Sequence, residues 1–552
     1  MKPIIRIALL LAIAALAFAD QGNKVAPDLK NVDPNRTVNV LVQFDISNDN
    51  NNQEIDGNFN QQGAVEIKKF KRFKGRVYSV PAKALAGLAK AAHVTYISPD
   101  RPLHRHMDVT APAVGADIAR QYGWTGRGIG VAVLDSGLDA KVSQLQDYSG
   151  SRVVYSESFV GGGTADSYGH GTHVAGIIGA SGDEHNNLYR GIAPSAKIIN
   201  LRVLDQNGAG TDSTVIAGIE RAIELKSAYN IRVINLSLGR PIYESYTTDP
   251  LCQAVEMAWK AGIVVVVASG NNGRDNSAGN HGYGTIMSPG NDPYVITVGA
   301  MKTMGTVLRA DDQIASYSSK GPSVVDHVVK PDLVAPGNRI VSLRDAGSTL
   351  DMASPEARVA AGSSYNPQYF RLSGTSMAAP VVSGAAALLL QKEPTLTPDQ
   401  VKARLMKTAG KAFPSYGIAT DPITGVVFTA QYDIFTVGAG YLDITAALNN
   451  SERPSGRAFS PTAVYDALAR RVRIVWNKPA GESLAWGDSL AWGEAFVWGN
   501  SVLLNGTSLA WGESVAWGDS TTLGFTAIWA SSLAWGDIDP LAASTIGIKG
   551  EL

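Results

Sequence analysis

Four polar residues, far apart in the chain, offer the groups that acyl transfer by a serine requires. Ser376 lies where a Gly-Thr-Ser turn runs into a small-residue apolar segment that predicts a buried helix. A helix start leaves backbone N–H groups unpaired and carries partial positive charge, so it would stabilise an oxyanion formed after Ser376 attacks a carbonyl. Pro380 is predicted to lie in the first turn, where its missing N–H costs no hydrogen bond. A serine at this position is also an ordinary helix cap, so the hypothesis depends on the other three residues.

Each of the other three residues follows a pattern that would expose a functional group. Asp135 ends the apolar stretch GIGVAVLD, where its carboxylate could accept an imidazole N–H and fix the tautomer. His170 lies between two glycines at a predicted helix start, which would let Ser376 and a substrate approach its ring. Asn271 follows the apolar run IVVVVASG, and its amide could donate to the developing oxyanion. The sequence therefore predicts an orienting acid, a base, a nucleophile and an oxyanion donor.

The segments that carry these residues predict an α/β domain, a mostly parallel β-sheet with helices on both faces. From about residue 118, apolar strands alternate with helical segments. Such sheets bind ligands beyond the carboxyl ends of their strands. Because Asp135, Ser237 and Asn271 directly follow predicted strands, we expect them to converge at that edge. The stretch 342–370 has no such pattern and is predicted to be an irregular surface insertion.

The four segments together resemble those of the subtilisin-like serine peptidases (subtilases, S8 family). The likeness rests on LDSGLD, HGTHVAG, ASGNNG and SGTSMAAP, with the acid, base and nucleophile in the family's chain order, and it covers roughly residues 110–450. It implies that Ser376 is the nucleophile, His170 the general acid and base, and Asp135 the orienting carboxylate. Asn271 would be an oxyanion donor beside the Ser376 backbone N–H. The implied activity is hydrolysis of protein peptide bonds through an acyl-enzyme intermediate.

The resemblance also implies where a substrate would lie. Subtilases bind the substrate chain as an added strand between two backbone segments. The corresponding residues are Gly208, Ala209 and Gly210, and Ser237, Leu238 and Gly239. The floor of the family's first specificity pocket is often a Gly before Tyr-Pro, and the sequence here is Met-Ser-Pro. We therefore expect Met287 to shorten that pocket and to disfavour large aromatic side chains.

Metal ions have no predicted part in catalysis, and structural calcium stays an open alternative. The eight histidines are not spaced like metal ligands, and His173 is expected to be a structural neighbour of His170. Many subtilases hold calcium with an Asp nine residues beyond the orienting Asp, a position occupied here by Gln144. The loop SGDEHNNLY at 181–189 still offers oxygen ligands, so calcium could bind at a different place.

Two segments are predicted to precede the peptidase domain. Residues 1–19 combine a basic start, a short apolar run and small residues, which is typical of a secretory signal cleaved after Ala19; a membrane start-anchor is the alternative. Residues 20–106 predict a small α+β unit with a polar loop at NDNNNQ and an exposed strand at the basic run KKFKRFKGR. By resemblance this unit is an inhibitory propeptide, which assists folding and is removed by the enzyme itself near 105–110.

A six-residue repeat follows the predicted peptidase domain of residues 107–450. Within 451–552, segments such as SLAWGD, SLAWGE and SVAWGD recur between 483 and 537. The Gly-Asp after each Trp suggests one turn per repeat, with the Trp side chains stacked along one side. If those side chains are exposed, the tail could bind glycan or cell wall; if they are buried, they form its core.

Composition limits the remaining possibilities. A net charge of −1 gives no reason to expect a nucleic-acid partner. Cys252 is the only cysteine, so no intramolecular disulfide can form, and its amphipathic segment predicts a buried thiol. No apolar span follows the signal, so the mature protein is expected outside the cytoplasm without a membrane segment. The sequence thus predicts a secreted serine endopeptidase with protein substrates, inhibited by its own propeptide and requiring no cofactor for catalysis.

Overall fold

The computed structural model describes most of the chain between residues 24 and 551, in two compact units, Met1–Arg105 and His106–Leu552. The predicted signal peptide and most of the Trp-Gly repeats lie outside the described residues. Among the described helices, none is both long enough and apolar enough to cross a bilayer. The described residues are 24–26, 29, 32, 34, 36–45, 52–70, 74–99, 109–148, 150–183, 188–277, 279–360, 367–414, 416–421, 425–466, 471–475, 496–498, 501–503 and 550–551.

The described residues of the first unit form an antiparallel sheet, two α-helices and a core of their own. Its elements are β1 (Thr37–Phe44), α1 (Asn52–Gln61), β2 (Val65–Lys69), β3 (Gly75–Pro81), α2 (Leu85–Leu88) and β4 (Val94–Pro99). The strand order is β2-β3-β1-β4, with every neighbouring pair antiparallel. Alternation along β1 directs Val40, Val42 and Phe44 into the core, as expected for a strand with one buried face.

Helix α1 and the basic run differ from the prediction. The polar-loop prediction was wrong for the last two residues of NDNNNQ, because α1 begins at Asn52. Its Phe59 is buried with its ring centroid 4.7 Å from that of Tyr78, so tertiary packing overrides the local polar composition. Strand β2 is exposed, in line with the prediction for the basic run. At the end of that run, however, Arg76 is buried and pairs with Glu66 at 3.2 Å.

The second unit alternates strands and helices. Its strands are β5 (Gly130–Asp135), β6 (Gln146–Asp147), β7 (Gly150–Ser151), β8 (Val153–Ser158), β9 (Lys197–Arg202), β10 (Ile231–Leu236), β11 (Val264–Ala268), β12 (Ile296–Lys302), β13 (Gln313–Ile314), β14 (Leu333–Pro336), β15 (Ile340–Leu343), β16 (Arg358–Val359), β17 (Tyr369–Leu372), β18 (Tyr416–Thr420), β19 (Val427–Gln431), β20 (Thr462–Asp466), β21 (Arg471–Val475), β22 (Phe496–Trp498) and β23 (Ser501–Leu503). Its helices are α3 (Thr110–Ala113), α4 (Ala116–Gln121), α5 (His170–Gly179), α6 (Asp212–Glu224), α7 (Lys226–Tyr229), α8 (Pro250–Lys260), α9 (Thr349–Ala353), α10 (Thr375–Lys392), α11 (Pro398–Thr408) and α12 (Ile444–Asn449).

A mostly parallel sheet forms the centre of this unit, which confirms the predicted α/β class. The strand order is β13-β12-β11-β10-β5-β9-β8, with β14 joined to β12, and only the β12–β13 pair is antiparallel. Strands β5, β11 and β12 are buried along their whole length, as expected when helices cover both faces. Helices α5 and α10 pack on each other, and α6 packs on α8; both groups contact the sheet.

Helix α10 runs through the core, and one detail of its start corrects the prediction. Pro380 is the sixth residue of α10, beyond the first turn. It therefore cannot donate the usual bond to the carbonyl of Ser376, four residues earlier. That carbonyl instead accepts a hydrogen bond of 2.8 Å from the Ser237 hydroxyl, at the end of β10. The proline thus frees the carbonyl that ties the helix start to the central sheet.

The stretch predicted as an irregular insertion is more regular than its sequence suggests. Strands β15, β17 and β16 form a small antiparallel sheet, and α9 lies between β15 and β16. Asp351, in α9, pairs with Arg344 at 2.5 Å and with Arg358 at 2.7 Å, and so links the residue after β15 to the start of β16. Elements of two to five residues are too short to show a periodic pattern, so the prediction was wrong here.

Several described residues just beyond the predicted boundary at residue 450 are packed in the second unit. Ala458, Phe459 and Ala463 are buried, and β20 pairs with β21. Ser460 donates to the Asp332 carboxylate at 2.5 Å, which places this segment on the body of the peptidase unit. Cys252 is buried as predicted.

Candidate active site

The central sheet brings three of the predicted residues, Asp135, Ser237 and Asn271, to one edge. Strand β10 lies between β5 and β11, and all three run parallel. Asp135 is the last residue of β5, Ser237 follows β10 directly, and Asn271 lies three residues after β11. Since parallel strands end at the same edge, these side chains share the region where α/β sheets bind ligands.

His170 and Asp135 form a close, largely buried pair. The Nδ1 atom of His170 lies 2.8 Å from Oδ1 of Asp135, and the two side chains are 16% and 1% exposed. The Ser136 backbone N–H also donates to that carboxylate, at 2.8 Å. Burial acts to lower the pKa of His170, but the charge and hydrogen bond of Asp135, with a contribution from Asp166, raise it overall. The pair is therefore arranged to stabilise an imidazolium.

Ser376 is the second residue of α10 and is half-buried. Its hydroxyl donates to the Ser237 carbonyl at 3.1 Å, which holds it beside the end of β10. The surrounding bonds are fixed: Ser237 receives a bond of 2.9 Å from Asn235, which in turn accepts one of 2.8 Å from Ser383. This buried relay holds both the end of β10 and the start of α10.

Asn271 borders the same space as the Ser376 backbone N–H. Its Oδ1 accepts from the backbone N–H of Thr375 at 2.9 Å and from the Thr375 hydroxyl at 3.1 Å, which leaves the amide nitrogen for a ligand. A Cβ placed on Gly374 would lie 3.3 Å from the Asn271 Nδ2 and 3.6 Å from the Ser376 nitrogen. Two N–H groups thus face the room that the glycine leaves open, and such an arrangement can bind an oxyanion.

A second buried carboxylate, that of Asp166, lies close to the His170–Asp135 pair. The sequence analysis missed it. Asp166 accepts bonds of 2.7 Å from the Ser136 hydroxyl and from the backbone N–H groups of Gly169 and Thr172. Burial raises the pKa of Asp166, whereas these hydrogen bonds act to lower it. The only available sequence signal was an acidic residue shortly before a helix start.

His173 is separated from this chemistry, in line with its expected structural role. It is fully buried, and its Nε2 lies 3.2 Å from the carbonyl of Ile340 and 3.0 Å from that of Phe370. Burial, with a smaller effect of His170, lowers the pKa of His173 to about 3. The ring therefore stays neutral and donates an N–H to backbone carbonyls of β15 and β17.

The predicted substrate segments line one cavity of about 400 Å³ beside His170. On one side, Asp205 holds a turn: its carboxylate accepts from the Ala209 N–H at 3.0 Å, and its backbone N–H donates to the Ala209 carbonyl at 2.8 Å. Gly208 has φ +73°, and a Cβ there would lie 2.6 Å from the Tyr168 ring. The predicted residues that line the cavity are Gly208, Ala209, Gly210, Ser237, Leu238 and Gly239.

Met287 packs between the second substrate segment and the Asn271 loop. A Cβ at Gly270 would lie 2.7 Å from its Cγ, and one at Gly239 would lie 3.2 Å from its Cβ. The side chain is half-buried and occupies the room beside both glycines.

Several oxygens around Gln144 are bound by arginine side chains. Its carbonyl accepts from the Arg152 guanidinium at 2.7 Å, and the Ser181 carbonyl accepts from Arg190 at 2.5 Å. Arg190 also pairs with Asp183 at 2.8 Å. Guanidinium groups thus already bind these oxygens, and the described residues contain no cluster of three or more His, Cys, Asp or Glu side chains suited to a metal. Residues 184–187 of the loop lie outside the described part.

Comparison with known proteins agrees with this geometry. Residues 126–438 match the sequence model of the subtilase family. The chain is 39% identical to Serine protease AprX of Bacillus subtilis (strain 168) over 337 residues, which are 59% of this chain and 71% of that protein. It is 34% identical to Subtilisin E of the same organism over 352 residues, 63% of this chain and 79% of that protein. Over 364 residues it is 34% identical to the Extracellular serine proteinase of Thermus sp. (strain Rt41A), covering 62% and 74%. The chain belongs to the subtilase family and is a serine-type endopeptidase that hydrolyses proteins.

Proposed function

We infer that Ser376, His170 and Asp135 form the catalytic triad of this peptidase. The observation that carries the proposal is the 2.8 Å pair of His170 with buried Asp135, at the sheet edge that also holds the start of the Ser376 helix. Ser376 Oγ attacks the scissile carbonyl while His170 Nε2 takes the hydroxyl proton, and Asp135 stabilises the resulting imidazolium. His170 then gives that proton to the leaving amine.

The oxyanion is proposed to bind between the Asn271 amide and the Ser376 backbone N–H. Both groups border the space beside Gly374, where their N–H groups could donate to a negative charge. Water then attacks the acyl-enzyme with His170 again as base, which releases the carboxylate product and restores Ser376. All of these steps use groups of the chain itself, so no cofactor is required.

The substrate is proposed to lie as a strand between Gly208–Gly210 and Ser237–Gly239. The cavity between these segments supports this placement, and backbone pairing accepts many sequences, as a general endopeptidase requires. Because Met287 fills the room beside Gly239 and Gly270, side chains smaller than Phe or Tyr are proposed to fit the first pocket best. Rates on peptides that differ only at the residue before the cleaved bond measure this preference.

Residues 20–106 are proposed to be an inhibitory propeptide, which the enzyme removes near 105–110. Two observations support this: the first unit, Met1–Arg105, has its own core, and the family match begins only at residue 126. Secretion after loss of residues 1–19 is proposed from the signal-like sequence. One relative that carries the word "Extracellular" in its name supports this location.

Residues 451–552 are proposed to be a C-terminal region with Trp-Gly repeats, beyond the peptidase domain of 107–450. Glycan or cell-wall binding by exposed tryptophans is its alternative function. Retention of the protein on insoluble polysaccharide, compared with a subtilisin that has no such repeats, would favour that function. A protein that passes through unbound would favour a self-packed tail.

The mass of the secreted protein, measured together with casein hydrolysis, tests the proposed function. Wild type is expected to lose its first hundred or so residues and to digest casein. The Ser376→Ala variant should keep its propeptide and show no measurable hydrolysis, while Ser227→Ala, the same change at an exposed serine of α7, should still mature. If the Ser376→Ala variant matures and digests casein as wild type does, Ser376 is not the nucleophile.

A further inference from the structure

Two cationic side chains converge in the interior of the peptidase unit, away from the triad. Lys302 is the last residue of β12, and its side chain is 2% exposed. Arg274 lies three residues after Asn271, and its side chain is 11% exposed. Arg274 also pairs with Asp421 at 2.7 Å. Buried cations are stable only beside an anion, so this place requires a second carboxylate for Lys302.

Glu551 supplies that carboxylate from beyond the Trp-Gly repeats in the sequence. Its Oε2 lies 3.1 Å from the Lys302 ammonium, and its Oε1 accepts from Arg274 at 3.0 Å. The backbone N–H of Ser316 donates to the same Oε1 at 2.9 Å, and the Ser316 hydroxyl also bonds to it. The Glu551 side chain is only 1% exposed. Oε1 thus accepts hydrogen bonds from Arg274 and Ser316, and Oε2 forms an ion pair with Lys302.

The backbone of residues 550–551 is recognised as well. The Asn338 amide donates to the Glu551 carbonyl and accepts from the Glu551 N–H, both at 2.9 Å. Gly550 has φ +65°, and a Cβ there would lie 2.4 Å from the Ser373 hydroxyl oxygen. A side chain at position 550 would therefore collide with Ser373, so the contacts select the sequence Gly-Glu.

The residues that bind Glu551 adjoin the two segments that form the proposed oxyanion site. Arg274 belongs to the loop that carries Asn271, and Ser373 lies three residues before Ser376. Gly374 donates to the Gly337 carbonyl at 2.9 Å, directly beside Asn338. Residues 550–551 therefore contact Arg274 on the Asn271 loop and lie against Ser373, which precedes the Ser376 turn.

We propose that Arg274, Lys302, Ser316 and Asn338 form a binding site for an acidic Gly-Glu peptide segment, occupied by residues 550–551. The bound segment braces the Asn271 loop against the turn before Ser376. It also holds the region that follows the repeats on the peptidase body. The binding site stands apart from the catalytic roles proposed above, and only the bracing effect rests on them.

Glu551→Gln tests the site, with Glu220→Gln on the exposed face of α6 as the matched control. The change keeps the shape of the side chain but leaves Lys302 without its anion, so we expect a fall in Tm of roughly 5 °C. With a chromogenic peptide, kcat should fall several-fold while KM changes little, because the brace acts on the oxyanion donors. If Glu551→Gln matches Glu220→Gln in both Tm and kcat, the site does not exist. A lower Tm with unchanged kcat would overturn the bracing role.

The double variant Lys302→Met/Glu551→Gln keeps the proposal testable if Glu551→Gln accumulates poorly. Removing the cation together with the anion should restore part of the lost Tm and yield. A double variant whose loss equals the sum of the two single losses would overturn the Lys302–Glu551 pairing. Added to Glu551→Gln, the peptide IGIKGEL should raise kcat towards wild type, and IGIKGQL should not. Equal effects of the two peptides would contradict recognition of the carboxylate.

Discussion

Two histidines in the first turn of α5 lie in opposite environments. His170 faces the sheet edge, where the carboxylates of Asp135 and Asp166 raise its pKa despite its burial. His173 faces the interior, where burial and the nearby His170 lower its pKa to about 3. Both rings are held by hydrogen bonds to oxygen, but only His170 is held by a charge. Residue type and burial therefore do not make a histidine basic, whereas the charge of its hydrogen-bond partner does.

Removing the negative charge of Asp135 should have the largest effect on activity. Asp135→Asn keeps the size of the side chain but removes the anion and permits the wrong His170 tautomer. We expect kcat to fall by about 10⁴-fold, the loss found for the equivalent carboxylate of another serine peptidase. Kinetics on a chromogenic peptide with propeptide-free enzyme measure this. A loss below tenfold would mean that Asp135 does not orient the base.

The interior histidine is expected to affect acid stability instead of catalysis. Since the pKa of His173 is about 3 in the fold and near 6.5 in the unfolded chain, the unfolded state binds the extra proton between these values. Stability should therefore fall as pH drops below about 6.5, by roughly 4 kcal/mol in all at pH 3.

Thermal unfolding between pH 7 and pH 4, in a Ser376→Ala background that prevents self-digestion, checks the role of His173. The His173→Gln variant should be less stable at pH 7, because it packs less well, but its Tm should depend less on pH than that of the parent. Equal slopes of Tm against pH would show that His173 does not titrate as inferred.

The proposed oxyanion donor, Asn271, lies at the same sheet edge as His170. Asn271→Ala removes one donor and leaves the His170–Asp135 pair in place, so kcat should fall by about 10²–10³-fold while KM changes little. An Asn272→Ala variant, which alters the neighbouring position, is the control. If KM rises and kcat stays constant, Asn271 binds the ground state and not the transition state.

Sequence patterns could identify the four candidate site residues because each of them follows a local signal in the chain. Asp135 and Asn271 follow apolar strands, and His170 and Ser376 open helices, so strand direction alone brings them together. The contacts that hold these residues in place have no such local signal. They depend on pairs distant in sequence, such as Glu551 with Lys302, and on the contact that replaces the hydrogen bond lost at Pro380. A single sequence contains no local pattern for contacts of that kind.

The smallest expected effect comes from the second carboxylate behind the pair. Asp166 contributes to the raised pKa of His170, so Asp166→Asn should lower that pKa. Catalysis needs the neutral ring, so activity on the acidic side is lost as pH falls through the pKa of His170. The acidic limb of the pH profile of kcat/KM should then move to lower pH, by about one pH unit or less.

The direction of that movement separates an electrostatic role of Asp166 from a structural one. If Asp166 only caps α5, the variant should lose Tm while its acidic limb stays where it is in wild type. A limb that moves to higher pH would contradict both roles, because removing a negative charge cannot stabilise the imidazolium. Asp183→Asn, a change of the same type at an exposed carboxylate farther along the chain, shows how much of any shift is nonspecific. A shift found only in Asp166→Asn would show that two carboxylates, those of Asp135 and Asp166, distinguish the environment of His170 from that of His173.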